Sequence, residues 1–169
     1  MKDPEKLVEA FKEAGALLIT QPDWKGTGLY LSAVLPPESL IQCTQKLLQE
    51  SYTLLDISTA EFTEGFLVTY HFDSFLSPGR LALRVLITDK INPTVPSIYP
   101  VYQGAEWHER ESHDFFGVIF TGNPNLVPLL LPHDLPGPPP LRKNPENLAS
   151  LFKLNFLGEI KFSAPSWGA

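Results

Sequence analysis

Leu81-Ala82-Leu83-Arg84-Val85-Leu86-Ile87-Thr88 is the stretch from which the fold can be read. It is aliphatic, short and preceded by Ser77-Pro78-Gly79, a hairpin-like turn, so it reads as a strand with Arg84 pointing outward. Upstream, Phe66–Phe72 alternates as another strand, Glu64-Gly65 makes a turn, and Tyr52–Phe62 reads as a third. Strands joined by tight turns pair antiparallel with their neighbours.

Further out, Leu29–Leu35 and Ala16–Thr20 read as two more strands flanking a turn at Gly26–Gly28. Pro4 starts a helix with Asp3 as its N-cap; Leu7, Val8, Phe11 and Ala14 recur at helical spacing, and Gly15 ends it. Pro37 opens a second helix with an apolar stripe of Leu40, Ile41, Thr44, Leu47 and Leu48. The order α-β-β-α-β-β-β predicts an α+β fold: a largely antiparallel sheet with helices on one face.

After Lys90 the pattern changes. Eleven of the 17 prolines lie between Pro93 and Pro145. Asn92-Pro93, Val95-Pro96 and Tyr99-Pro100 force extended backbone, because proline disfavours a helical predecessor. One charged helix is expected from Gly104 to Phe116, closed by Gly117. Pro138-Pro139-Pro140 reads as polyproline II. The chain therefore divides into an α+β domain (1–90), a signature helix with a proline-rich segment packed on it (91–131), and an extended partner-binding tail (132–169). That tail carries Leu151, Phe152, Leu154, Phe156, Leu157, Ile160, Phe162 and Trp167. It has no strand or helix of its own to bury them in, and the linker is expected to carry it away from the domain.

Composition excludes several classes. The 169 residues are 43% hydrophobic and 19% charged, as in a globular chain. A net charge of −6 argues against nucleic acid or an anionic membrane as partner. Apolar runs such as Leu129-Leu130-Leu131 are far shorter than the ~20 residues of a spanning helix, and the amphipathic N-terminus has no signal-peptide core. A single cysteine, Cys43, excludes an internal disulfide or an iron–sulfur cluster held by this chain alone. Gly26-Thr27-Gly28 lacks a dinucleotide fingerprint. No cofactor is expected here.

Residues 106–117, Glu-Trp-His-Glu-Arg-Glu-Ser-His-Asp-Phe-Phe-Gly, concentrate titratable groups. His108-Glu109 with His113 resembles a zinc-protease helix, but a spacing of five rotates the rings roughly 140° apart, where that motif needs four. The stronger reading is structural. Glu106, Arg110 and Asp114 stack four apart as acid, base, acid, with Arg110 largely buried; Glu109 and His113 form a second pair. An arginine among carboxylates can knit a helix to proline-rich loops whose backbone needs partners. His71, the His133-Asp134 turn and Cys43 also read as structural. The alternatives are a free-standing hydrolase or lyase using Glu109, Glu111, His113 or Asp114, and an independent binding module.

These residues carry a resemblance. Trp107, Glu109-Arg110-Glu111, Asp114 and Gly117, then Gly122, Pro124 and Leu126, and finally Pro140-Leu141-Arg142-Lys143 resemble a known signature. It is that of the thirty-kilodalton subunit family of respiratory complex I, the C-subunit family of NADH:quinone oxidoreductase. Three departures stand out. The family usually has histidine at Asn123, basic residues where Val127-Pro128-Leu129 stand, and aspartate at Asn144. Leu129–Pro136 instead resembles equivalent subunits of membrane-bound nickel–iron hydrogenases and formate hydrogenlyase-type complexes. The resemblance implies no catalytic residue, no metal and no cofactor in this chain. It implies a place in the peripheral arm, on the cytoplasmic side of the membrane. There the chain would lie against a large, nickel–iron-hydrogenase-like catalytic subunit (the forty-nine-kilodalton type). Iron–sulfur clusters and the quinone (or nickel–iron) site would lie in neighbouring subunits.

Overall fold

Strands of alternating character sort their side chains between two faces, and here one face meets helices. The computed structural model describes residues 4–76 and 79–151. Asp3, Ser77 and Pro78 lie outside the described residues, as do the tail residues Phe152, Leu154, Phe156, Leu157, Ile160, Phe162 and Trp167. The elements are α1 (Pro4–Glu13), β1 (Leu18–Thr20), α2 (Trp24–Thr27), β2 (Leu31–Leu35), α3 (Leu40–Gln49), β3 (Thr53–Phe62), β4 (Gly65–Asp73), β5 (Leu81–Ile87), β6 (Thr94–Pro96), α4 (Ala105–Phe116) and β7 (Ile119–Thr121).

β1 to β5 form one sheet in the order β1-β2-β5-β4-β3. β3, β4 and β5 are the expected meander, with Ile57, Tyr70 and Leu83 in register. Only β2–β5 is parallel, because the chain leaves β2 through α3 and the β3–β4 hairpin before returning beside it. Leu31, Ala33 and Leu35, then Phe66, Val68, Tyr70 and Phe72, and Leu81, Leu83, Val85 and Ile87 share the helix-facing side. They enclose Leu7 and Phe11 of α1, Leu40, Cys43 and Leu47 of α3, and Ala105, Val118 and Phe120 around α4. Burying each such large side chain contributes ~1.5–3 kcal/mol. The Cys43 thiol is buried there, which pushes its pKa up to about 12.

The β3–β4 turn depends on Gly65. It sits at φ 151°, and a Cβ there would fall 2.1 Å from the carbonyl oxygen of Ile87. The Gly26–Gly28 segment is not a simple turn. Asp23 accepts from the Lys25 N–H at 3.2 Å and starts the single turn of α2, which Gly28 closes at φ 67°. Pro37 forms a 3-10 turn through Ser39, and α3 follows.

Two expectations are corrected. Arg84 does lie on the face away from the helices, but it is only 6% exposed. The segment after Pro132 does not lead away from the domain. Turns closed by Leu135 N–H to Pro132 O and Arg142 N–H to Pro139 O interrupt it. The chain then runs back across the β3–β4 end, where Thr63 N–H donates to Ala149 O at 3.0 Å. Leu151 is buried against Phe62 and Leu67 on the sheet face opposite the helices. The reason is a carboxylate: Glu64 Oε2 accepts the Leu151 N–H at 2.8 Å and places the side chain.

Leu151→Ala is therefore expected to destabilise the isolated chain by ~2–5 kcal/mol in urea unfolding. An unfolding midpoint unchanged from wild type would mean that the contact contributes nothing.

Candidate functional site

The proline-rich segments leave backbone groups without ladder partners, and α4 provides partners for many of them. Its carboxylates and its arginine turn to different segments. Glu109 is fully buried and accepts three hydrogen bonds: Ser97 Oγ at 2.7 Å, Ile98 N–H at 2.8 Å and Asn123 Nδ2 at 2.7 Å. Burial outweighs those donors, so its carboxyl sits above the usual carboxylate value. Asp114 Oδ2 gathers three consecutive backbone N–H groups, Leu129, Leu130 and Leu131, at 2.9, 2.8 and 3.1 Å. Burial opposes ionisation there too, but the three donors and nearby His113 prevail, and the carboxyl is held below its ordinary value.

Arg110 serves acceptors. Its Nε and Nη2 each donate at 2.9 Å, to Val127 O and Pro128 O. Its side chain is 11% exposed and lies 3.8 Å from Glu106, as the four-residue spacing requires. The expected acid–base–acid stack is therefore only half present, because Asp114 is taken by the 129–131 backbone. The expected Glu109–His113 pair does not form: His113 Nδ1 bonds Val118 O at 2.9 Å, and Glu109 turns inward. Gly117 closes the helix at φ 76°, with its N–H on His113 O.

The second half of the signature fastens the same region. Leu141 N–H donates to Phe115 O at 3.0 Å. Arg142 donates to Lys90 O at 2.9 Å, and its guanidinium lies 4.9 Å from the Phe66 ring centre. Glu61 accepts from the Lys143 N–H and pairs with Lys90 Nζ, both at 2.9 Å. Burial opposes the Glu61 charge, but Lys143, Lys90 and Arg142 prevail and lower its pKa. Leu126 packs against the core, and Gly122 takes φ 93°. Trp107, Glu111, Pro124, Pro140 and Leu141 remain exposed, with Arg110 stacked 6.0 Å from the Trp107 ring centre.

Sequence reasoning missed Ser97, Glu61 and Lys90, and also the parallel pairing of β6 with β7 that frames α4. Glu61 could have been found, since period two from Ile57 places it on the buried face of β3. Three-residue strands carry no periodicity, so β6–β7 was not legible. Among the described residues, no group of three or more His, Cys, Asp or Glu side chains could hold a metal ion, and no helix is long and apolar enough to cross a membrane.

This arrangement of tied signature residues coincides with a family match. Residues 33–147 match the family described as respiratory-chain NADH dehydrogenase, 30 Kd subunit. The chain belongs to that family. The C subunit of NADH-quinone oxidoreductase from Roseiflexus sp. is 48% identical over 79 residues, 47% of this chain and 44% of that protein. The corresponding subunit of Ruegeria pomeroyi is 37% identical over 128 residues, 72% of this chain and 62% of that protein. The matches thus span less than two thirds of these relatives. Among solved structures, the trypsin-resistant fragment (1-134) of Nqo5 superposes with a TM-score of 0.61 at 26% identity, covering 73% of this chain and 98% of that one. A chain of an archaeal membrane-bound sulfane sulfur reductase superposes with a TM-score of 0.60 at 22% identity, over 71% of each chain, which shows a shared fold. The α4 side chains and the Leu141–Lys143 return both lie within the matched stretch.

Asp114 and Glu109 respond to pH with opposite sign. The contribution of Asp114 is complete above 3.8 and is lost as pH falls through its lowered folded value. Glu109 penalises folding at neutral pH and is relieved as pH falls from its raised folded value toward 4.5. Asp114→Asn is expected to cost about 2–3 kcal/mol at neutral pH and to flatten the acid loss below 3.8. Urea unfolding across an acid series measures both, and an unchanged acid limb would remove Asp114 from the account.

Proposed function

We propose that this chain is a non-catalytic structural subunit in the peripheral arm of a complex I-like NADH (or other donor):quinone oxidoreductase. It braces the large nickel–iron-hydrogenase-like subunit on the cytoplasmic side of the membrane and holds no redox centre of its own. Clusters and the quinone site belong to its neighbours. One observation carries the reading: the polar groups of α4 are spent on hydrogen bonds within the chain itself, most of them to backbone. Both oxygens of Glu109 are bonded, Asp114 holds three amides, and Arg110 holds two carbonyls. A free-standing carboxylate enzyme needs such groups converging on a cavity. The apolar side chains left over, Trp107 at 63%, Leu130 at 61% and Leu141 at 49% exposure, suit a partner.

A second reading within the same class rests on Asn123 and on the Leu129–Pro136 stretch: the equivalent subunit of a membrane-bound nickel–iron hydrogenase or formate hydrogenlyase-type complex. The identity of the large subunit separates the two, since a hydrogenase retains two CxxC pairs for nickel.

Affinity-tagged full-length chain, purified from native membranes in mild detergent, is expected to bring down the large subunit and iron–sulfur subunits. The chain purified alone is expected to hold no stoichiometric iron, nickel or flavin. Recovery without other subunits, or with its own metal, would refute the reading. Truncation after Leu151 is expected to leave the domain folded and to weaken that association. Wild-type recovery of the complex would remove the role proposed for the tail.

A further inference from the structure

The sheet face away from the helices carries a charge that the structure leaves uncompensated. Arg84 is 6% exposed, with Val34 and Thr69 as its strand neighbours. Its Nη1 donates to Ser32 Oγ, and its Nε has no partner. Among the described residues no carboxylate pairs with it. A buried guanidinium without a counter-charge is costly, because removing it from water is not offset by an ion pair. Burial lowers its pKa from the ordinary arginine value.

Arg84 does not face solid protein. A cavity of about 350 Å³ lies against it, between α2 and the β3–β4–β5 surface, bounded by Thr27, Leu29, Leu55, Arg80 and the Asp56–His71 pair. Arg80 is half exposed and only 3.6 Å from Asp73 at its closest. Asp56 is engaged by His71 Nδ1 at 2.7 Å. On a chain of net charge −6, two guanidiniums therefore share one concavity. Leu29 and Leu55 add apolar surface to the wall, and Leu55 is 41% exposed.

We propose that this cavity is a carboxylate-binding site, filled in the assembled complex by an aspartate or glutamate side chain of a neighbouring subunit. A planar guanidinium that lines the cavity, with no carboxylate partner among the described residues, matches the two oxygens of a carboxylate. Asp56 in the wall opposes any anion, a phosphate dianion more than a singly charged carboxylate. Leu29 and Leu55 give the cavity an apolar side, which strengthens a charge pair formed there. The inference rests on the subunit reading above. It adds a second attachment point, on the face of the sheet opposite α4.

The test is photo-cross-linking in cells that make the complex, with p-benzoylphenylalanine replacing Leu55 in a tagged full-length chain. The expected product joins Leu55 to another subunit, within two residues of an aspartate or glutamate. In an Arg84→Met background its yield should fall by at least about tenfold, because the acidic group would be left unpaired. The isolated Arg84→Met chain should melt no lower than wild type, since an unpaired buried charge has been removed. Arg84→Lys, which keeps the charge but not the fork, should give an intermediate yield and guards against misfolding of the methionine variant. An intact complex without the cross-link, a yield indifferent to both Arg84 variants, or a product joining Leu55 to its own chain near Glu159 would each overturn the inference. A tagged chain that recovers no other subunit overturns the subunit reading as well, which distinguishes the two failures.

Discussion

A chain with eleven prolines in about fifty residues cannot satisfy its own backbone, and that constraint organises the second half of this protein. Each proline removes a donor and imposes extended geometry, so regular ladders are short. The partners come from side chains instead. Asp114 meets three successive N–H groups, Glu109 the start of another segment, and Arg110 two carbonyls. A helix is the right donor of such groups. It satisfies its own interior backbone and can present charges at four-residue spacing along a rigid axis. Density of charge in α4 therefore reflects the needs of the proline-rich segments around it.

Different charges meet that need at different cost. Asp114 accepts only backbone donors at a loop and gains from ionisation. Glu109 is buried deeper, with only neutral donors on its carboxylate among the described residues, and burial raises its pKa. Asn123 matters for that reason. Its amide supplies one of three neutral donors to Glu109, and its own Oδ1 accepts the Asn125 N–H at 2.9 Å. Asparagine stabilises that carboxylate by hydrogen bonding alone, without adding a charge.

What was legible followed period and spacing. The meander of β3, β4 and β5 was readable because long alternating strands carry a repeated signal. The limits of α4 followed from Gly117, which suits the left-handed position after a helix. Geometry that depends on long-range partners was not readable. The inward Glu61 meets Lys143 across 82 residues of chain, and Leu151 is drawn in by Glu64 across 87. Polyproline stiffness suggested that the segment after Pro132 would leave the domain. The hydrogen bonds of Leu141, Arg142 and Lys143 overrule that local preference, because they join it to charges already buried at the β3–β4 end.

These ties change the role open to the tail. Tethered at Leu151, the remaining residues start from the sheet face opposite α4, not from the end of a stiff spacer. That is also the face on which Arg84 stands without a carboxylate partner among the described residues. The helix-facing side is already filled by α1, α3 and α4. Recognition by side chains with unused capacity is thereby pushed to two places: the apolar residues left exposed around Trp107, and the back of the sheet. α4 and the Leu141–Lys143 return fix the shape of the proline-rich half through bonds made within the chain, while Arg84, buried with no carboxylate partner among the described residues, leaves unused capacity on the back of the sheet.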